Sequence, residues 1–531
     1  MRSAAAAALL WASCAAGQYV WPSKWDELED LYTMHGGYNR RGFSDSVNPC
    51  TFGSNVAGRQ NAAEWIRTAF HDMATHDAKA GTGGLDASIF WELDRPENVG
   101  SAFDSTFGFF SGFFSERVSV ADLIALGVAT ASNACVGPQI KMRGGRIDAN
   151  KAGPAGVPEP ETSIDKTLAT FTKAGFTKQD MIAMVACGHS LGGVHSEDFP
   201  DLVELPAKPD QSVPFQKEFG SVSNGVVTEF LQGTTKNPLV VAANKTLNSD
   251  KRIFESDGKV TMKKMADKKT FATMCGDIFT RMIDTVPSNV KLTDITAYDV
   301  KPYVDELSLN AKGDLSFKGK IRFRTSGGIR KAEDMTVKLV YADNNGKKTT
   351  VSTTQATWQG GSTTGINREN FVSFEFDTTI KASTGISKFW VQETTKSTKK
   401  TVTHDNQGTG GYPIDDTVLY QISESCLDTN NIKNDKVPLT VVAMVREKRA
   451  SDPFSFKIVR ELKRKDVTVP QLKSEWIKFK TTGKKRNGYV GYKVQTQVTG
   501  FTTFDVVLGG SKRTGVYFQR TTRLADTCTA S

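Results

Sequence analysis

Long apolar runs, histidine and cysteine are all in short supply in this chain, and each shortage narrows what it can be. No internal apolar stretch approaches the roughly 20 residues a membrane-crossing helix needs, so no membrane span is expected. Histidine numbers six in 531 residues, and only His195 and His404 follow residue 190. A catalytic serine near residue 190 would therefore have almost no histidine downstream to serve as its base. Cysteine numbers seven, too few for a small disulfide scaffold. Cys14 lies in the segment Met1-Arg2, Ala4 to Ala16, Gly17-Gln18, which reads as a secretory signal peptide over residues 1–17. The mature chain is accordingly expected outside the cell or in the cell wall. Its six remaining cysteines allow many pairings. The expected bridges are Cys50 with Cys135, Cys187 with Cys275, and Cys426 with Cys528, none of them crossing between domains.

At 531 residues the chain exceeds one ordinary core, and two or three domains are expected. The net charge of +9 hides two unlike halves: residues 301–531 hold 38 Lys and Arg against 23 Asp and Glu, and residues 1–300 hold 29 against 35. A basic half outside the cell could meet an anionic wall polysaccharide, although such an excess is also what a solvated surface looks like. No nucleic-acid partner is expected.

Ile66-Arg67-Thr68-Ala69-Phe70-His71-Asp72 carries the densest chemistry. In a helix over 61–77, Arg67, Phe70 and His71 project from one face. An imidazole can move a proton between two oxygens, and a guanidinium can stabilise the anion left when an O–O bond breaks. A surface helix with one stray histidine would share this pattern. Gly81-Thr82-Gly83-Gly84 breaks the helix, and Asp72, Asp86 and Ser88, with a glycine-rich loop free to turn its carbonyls inward, have the composition of a calcium site, although Asp-x-Ser is also common in plain turns.

Farther on, Ser119 with Asp122 marks a helix start, Ser163 caps a helix over 164–174 that Gly175 ends, and Thr177 with Asp180 caps another. Ile182, Val185, Ala186 and His189 recur at helical spacing, so an imidazole ends an apolar stripe. That histidine could hold a haem iron, or be a satisfied core residue. Gly188-His189-Ser190-Leu191-Gly192 also fits the nucleophile elbow of serine hydrolases, but an elbow follows a strand and here two capped helices precede it.

Taken together, Arg67-x-x-Phe70-His71-Asp72, Arg143-Gly144-Gly145-Arg146-Ile147-Asp148, Val157-Pro158-Glu159-Pro160 and Cys187-Gly188-His189-Ser190 resemble the haem peroxidases of the plant, fungal and microbial superfamily, from about residue 45 to 285. The resemblance implies a mainly α haem-peroxidase domain over 18–295, with haem b as cofactor, hydrogen peroxide as oxidant and a small, aromatic or phenolic reducing substrate. It implies His189 as the iron ligand, with Asp250 accepting a hydrogen bond from its other nitrogen. His71 is implied as the proton-transfer base, Asn98 as its hydrogen-bond partner, Glu92 as the carboxylate supporting Asn98, and Arg67 as stabiliser of the leaving hydroxide. Phe70 and His195 are expected against the cofactor.

Phe215 stands where one branch of the family has a tryptophan, and phenylalanine is hard to oxidise. Asp72, Gly84, Asp86 and Ser88 match the distal calcium ligands. The second calcium is weakened: Ser190 is retained, but Gln216, Glu218 and Ser223 replace Asp, Thr and Asp. One calcium is therefore expected. Manganese oxidation is not expected, since only Glu64 matches its three acids, with Gln60 and His195 at the other places. The alternatives are a Ser190 hydrolase and a non-catalytic binding protein with a degenerate peroxidase domain.

Beyond about 295 the pattern turns to alternating, β-branched segments such as Lys320–Thr325, Leu439–Val445 and Val490–Val498, with turn signals between them. Residues 296–531 are expected to form an all-β, sandwich-like region, as one module or as two dividing near 400–412. Arg460–Lys465 and Lys484-Lys485-Arg486 are its candidate basic patches; a packing or spacer role is the plainer expectation.

Overall fold

The computed structural model describes residues 19–53, 58–203, 212–465, 467–510 and 512–528. The expected signal peptide, 1–17, lies outside the described residues.

Residues up to Ile283 are mainly helical, and strands dominate from Val300 onward. The centre of the helical part is Val120–Ala134, apolar on every side except for a few small polar residues and buried almost throughout. Ser119 caps it by accepting from the Asp122 amide. The Asp122 carboxylate turns away from the cap, accepting from the Gly145 amide at 2.9 Å and pairing with the buried Arg146 guanidinium at 3.0 Å. Helix Asn61–Met73 packs beside it through Trp65, and Gly127 leaves room for that ring and for Phe110 at the end of helix Ala102–Phe110: a Cβ there would stand 2.9 Å from the Phe110 ring. This helix stops at Met73, short of the expected 77, because the chain turns to bond His76 Nδ1 with the Gly83 carbonyl. Helices Ile164–Lys173 and Lys178–Gly188 begin at the Ser163 and Thr177 caps.

The β half holds two antiparallel units with separate cores. In the first, Val300–Leu309, Leu315–Arg324 and Asn370–Ile380 share a sheet, and Met335–Ala342 and Lys388–Thr395 share another. Phe317, Phe323, Leu339, Phe374 and Phe389 fill the space between. In the second, Val437–Arg446 and Tyr489–Val498 face Phe454–Arg464, Val467–Lys478 and Thr503–Leu508 across Val441, Phe456, Val494 and Val506.

The N-terminal segment ties the halves together. Gly36–Gly37 adds an edge strand to the first unit beside Thr363 and Thr364, and the Trp21 backbone exchanges hydrogen bonds with the Asn406 side chain. Helix Asp26–Thr33 delivers Glu29 and Asp30 into a buried cluster with Lys301 and Arg322. All three disulfides join the expected partners: Cys50–Cys135, Cys187–Cys275 and Cys426–Cys528.

Candidate active site

Helix Asn61–Met73 supplies Arg67, Phe70 and His71 to the wall of one cavity. His71 Nδ1 lies 2.7 Å from Asn98 Oδ1, and Asn98 Nδ2 donates 2.8 Å to the backbone carbonyl of Glu92. An amide oxygen can only accept, so this network assigns the proton to Nδ1 and leaves Nε2 as the basic nitrogen. Burial, and then the Arg67 charge, push the His71 imidazole down to about 3, against the hydrogen bond to Asn98. His71 is thus a neutral base over the physiological range.

One expected contact is different. The Glu92 carboxylate does not reach Asn98; it accepts from the Gly153 amide at 2.6 Å and pairs with Arg95 at 3.0 Å. That side chain is fully buried and needs a cation, which Arg95, three residues on, supplies. Its main chain supports Asn98 instead.

Arg67 donates 3.0 Å to the Val99 carbonyl and rests its guanidinium 4.7 Å over the Phe103 ring. Burial lowers it to about 10, still cationic at neutral pH.

His189 lines the same cavity from the end of helix Lys178–Gly188. Its Nδ1 lies 2.9 Å from Asp250 Oδ2, in the first turn of helix Ser249–Glu255. The same carboxylate oxygen accepts from Asn237 Nδ2 at 2.7 Å. With Nδ1 committed, Nε2 is the nitrogen left for a metal. Phe215 stacks on the imidazole, centroids 4.1 Å apart and planes 18° apart. Asn237 escaped the sequence reading. Asn237-Pro238 signals a helix start, and the Asn237 oxygen does cap Leu239, but nothing local marks its amide nitrogen as a partner for Asp250.

The cavity holds about 1580 Å³ free of protein atoms, mouth included. Phe171, Met184, Leu191, Ile253 and Phe279 give it apolar walls, and His195, Gln60 and Glu64 also line it. Glu64 is paired with Arg59 at 3.2 Å, and Arg59 reaches Asp198 at 3.6 Å, so this acid is neutralised within the protein. The donor set suits a haem: an apolar slot, one imidazole whose outer nitrogen is fixed by a buried carboxylate, and a second imidazole beside a guanidinium.

Asp72, Gly84, Asp86 and Ser88 form a separate cluster. Ser88 Oγ lies 3.4 Å from Asp72 Oδ1, the Asp86 amide 2.8 Å from the Gly84 carbonyl, and the Ser88 amide 3.1 Å from Asp86 Oδ1. Burial and mutual repulsion raise the Asp72 carboxyl well above its usual range, and burial also raises Asp86. Two buried carboxylates with this tension fit a hard cation. Gly84 has φ +102°, and a Cβ there would meet the Thr285 carbonyl at 2.6 Å.

At the expected second calcium position, Gln216 Nε2 donates to the carbonyls of Ser190 at 2.7 Å and Glu218 at 2.9 Å, while its oxygen accepts from the Val226 amide at 2.8 Å. An uncharged amide thus satisfies oxygens that a cation would otherwise gather. Ser190 Oγ, fully buried, donates 2.7 Å to the Cys187 carbonyl, and a helix precedes it. That arrangement removes the structural basis for a nucleophile elbow. Among the described residues, no group of three or more His, Cys, Asp or Glu side chains could chelate an ion unaided.

Two imidazoles, each held at Nδ1 by its own partner, thus share one largely apolar cavity. A family model described as Peroxidase matches residues 53–270. The chain is 42% identical over 383 residues to a WSC domain-containing protein of Arthroderma benhamiae, covering 70% of this chain and 52% of that protein. It is 31% identical over 197 residues to L-ascorbate peroxidase 5, peroxisomal, of Arabidopsis thaliana, covering 37% and 67%. Ligninase H2 of Phanerodontia chrysosporium is 29% identical over 213 residues, covering 37% and 56%. The chain belongs to the haem peroxidase superfamily. It spans about half the length of the Arthroderma protein.

Proposed function

We propose that this chain is a haem-dependent peroxidase that works outside the cell, reducing hydrogen peroxide to water and oxidising a small aromatic or phenolic donor by one-electron steps. The observation that carries the reading is that His71 and His189 line one cavity, each with its Nδ1 held by a separate buried partner. His189 would hold haem b, with Asp250 and Asn237 fixing its ring and raising its electron donation. When bound, the haem supplies the electrons that reduce the peroxide.

The protein's own groups handle protons and charge. His71 Nε2, neutral and unprotonated, takes the proton from one peroxide oxygen and returns it to the other as the O–O bond breaks. Asn98 holds the ring in the tautomer that permits this. Arg67 places positive charge beside the departing hydroxide, in a site where burial strengthens the attraction. His195, Phe70 and Phe215 bound the cofactor slot.

We assign one calcium ion to Asp72, Gly84, Asp86 and Ser88, and none to Ser190, because Gln216 bonds the oxygens around it. Three disulfides and the leader-like N-terminus support export. A polyanion-binding role for the β half has less support: Arg460 pairs with Glu475, Arg486 with Glu424 and Lys485 with Glu447.

An absorption spectrum of the purified protein tests the reading. A Soret band that shifts on adding peroxide is expected. Haem-free protein with esterase activity would restore the hydrolase alternative, and inert haem-free protein the non-catalytic one.

A further inference from the structure

The strand pair Phe454–Arg464 and Val467–Lys478 belongs to the second β unit, yet its far end is built into the helical domain. Val469, 1% exposed, is counted within the helical core, and Val467 packs against it. Arg464 lies with its guanidinium 4.7 Å over the Phe90 ring and 4.6 Å over the Trp91 ring, while its Nε donates 3.0 Å to the Val469 carbonyl. A planar cation stacked on two rings and tied back to its own hairpin is held rigidly. Trp91 Nε1 in turn donates 3.1 Å to the Ala149 carbonyl.

The next residue along is Glu92, whose carbonyl receives the Asn98 amide that orients His71. A second contact lies close by. Thr468 Oγ1 donates 2.9 Å to Asp104 in helix Ala102–Phe110, and the adjacent Phe103 ring lies 5.0 Å from the His71 ring and 4.7 Å from the Arg67 guanidinium. The hairpin thus grips the segments on both sides of Asn98. Lys457, on the same hairpin, pairs instead with Glu116 and Asp505, which lie outside both segments in the chain.

We propose that Arg464, supplied by the C-terminal β half, is a positioning residue for peroxide activation: by clamping Phe90 and Trp91 it fixes the Glu92 carbonyl, and through Asn98 the orientation of His71. This rests on the reading of His71 as the proton-transfer base. It makes the β half part of the catalytic architecture rather than a tethered module.

The test compares full-length wild type, Arg464→Met, Arg464→Ala, Thr468→Val and, as control, Lys457→Ala. In haem-loaded protein we expect Arg464→Ala to slow the reaction with peroxide about tenfold and to weaken cyanide binding similarly, since misplacement of a catalytic group by a fraction of an ångström has effects of this order. Arg464→Met, which keeps the side-chain volume, moves both in the same direction, Thr468→Val less so, and Lys457→Ala moves neither. On an Asn98→Ala background, Arg464→Ala is expected to add less than about twofold, because both substitutions break one route. Unchanged rates in the folded Arg464 variants, or full additivity with Asn98→Ala, would overturn the proposal. If wild type binds no haem, the peroxidase reading fails instead; the slowly exchanging Nδ1 proton of His71, read by NMR, then decides alone. Its loss in Arg464→Met but not in Lys457→Ala supports the clamp, and its persistence in both refutes it.

Discussion

Two buried sets of ionisable groups lie in this molecule, and they behave in opposite ways. In the cavity, His71 and His189 each commit Nδ1 to one side-chain partner, Asn98 and Asp250, which leaves Nε2 for chemistry. At the junction between the N-terminal helix and the first β unit, Lys301 Nζ meets Glu29 at 2.9 Å and Asp30 at 2.8 Å, and Arg322 crosses to both acids. There burial, which would neutralise Asp30, is outweighed by Lys301, Arg41 and Arg322, holding its carboxyl far below the usual range; Lys301 is held well above its own. A group with one spare nitrogen can take and return a proton. A group saturated by opposite charge cannot, and serves to fix position.

Substitutions can break that contrast. The largest effect is expected from His71→Ala, which should lower the rate of reaction with peroxide by about 10²–10⁴-fold with little loss of stability, measured by stopped-flow absorbance and chemical denaturation. Arg322→Ala should do the reverse, costing about 3–5 kcal/mol of stability by leaving the buried Glu29 and Asp30 short of one of their cations, with the cavity chemistry retained in protein that stays folded. Asp250→Asn sharpens the comparison within the cavity: haem affinity should fall about 10–100-fold, read by haem titration. The smallest effect is on pH. The neutral His71 base should persist as pH drops, so the peroxide rate stays level to about pH 4 and falls through about 3. An unfolded histidine takes its proton near 6.5, so His71 should also withdraw stability progressively as pH falls from about 6.5 to about 3.

The same contrast explains what the sequence could reveal. Arg67, Phe70 and His71 lie within one helical turn or so of each other, and Thr177 with Asp180 writes a helix start in four residues, so spacing alone brings these groups to a face. Strands such as Met335–Ala342 and Tyr489–Val498 were legible from alternation. Val300–Leu309 was not, because Lys301, Tyr303, Asp305 and Glu306 interrupt its apolar pattern; two of those polar residues face the buried cluster, where their charge or hydroxyl is matched. Val467–Lys478 and Lys480–Arg486 show no clean alternation either, because most of their residues are partly or fully exposed and one apolar face is never set against one polar face. Asn237, the Glu92 main-chain contact and the Arg464 clamp are long-range or backbone features that no local motif encodes.

Stopped-flow Soret spectroscopy of the haem-loaded wild type beside His71→Ala reaches the core of the matter. Wild type should react with stoichiometric peroxide and the variant at least about a hundredfold more slowly. A wild type with no Soret band, or a variant that reacts equally fast, would contradict the account.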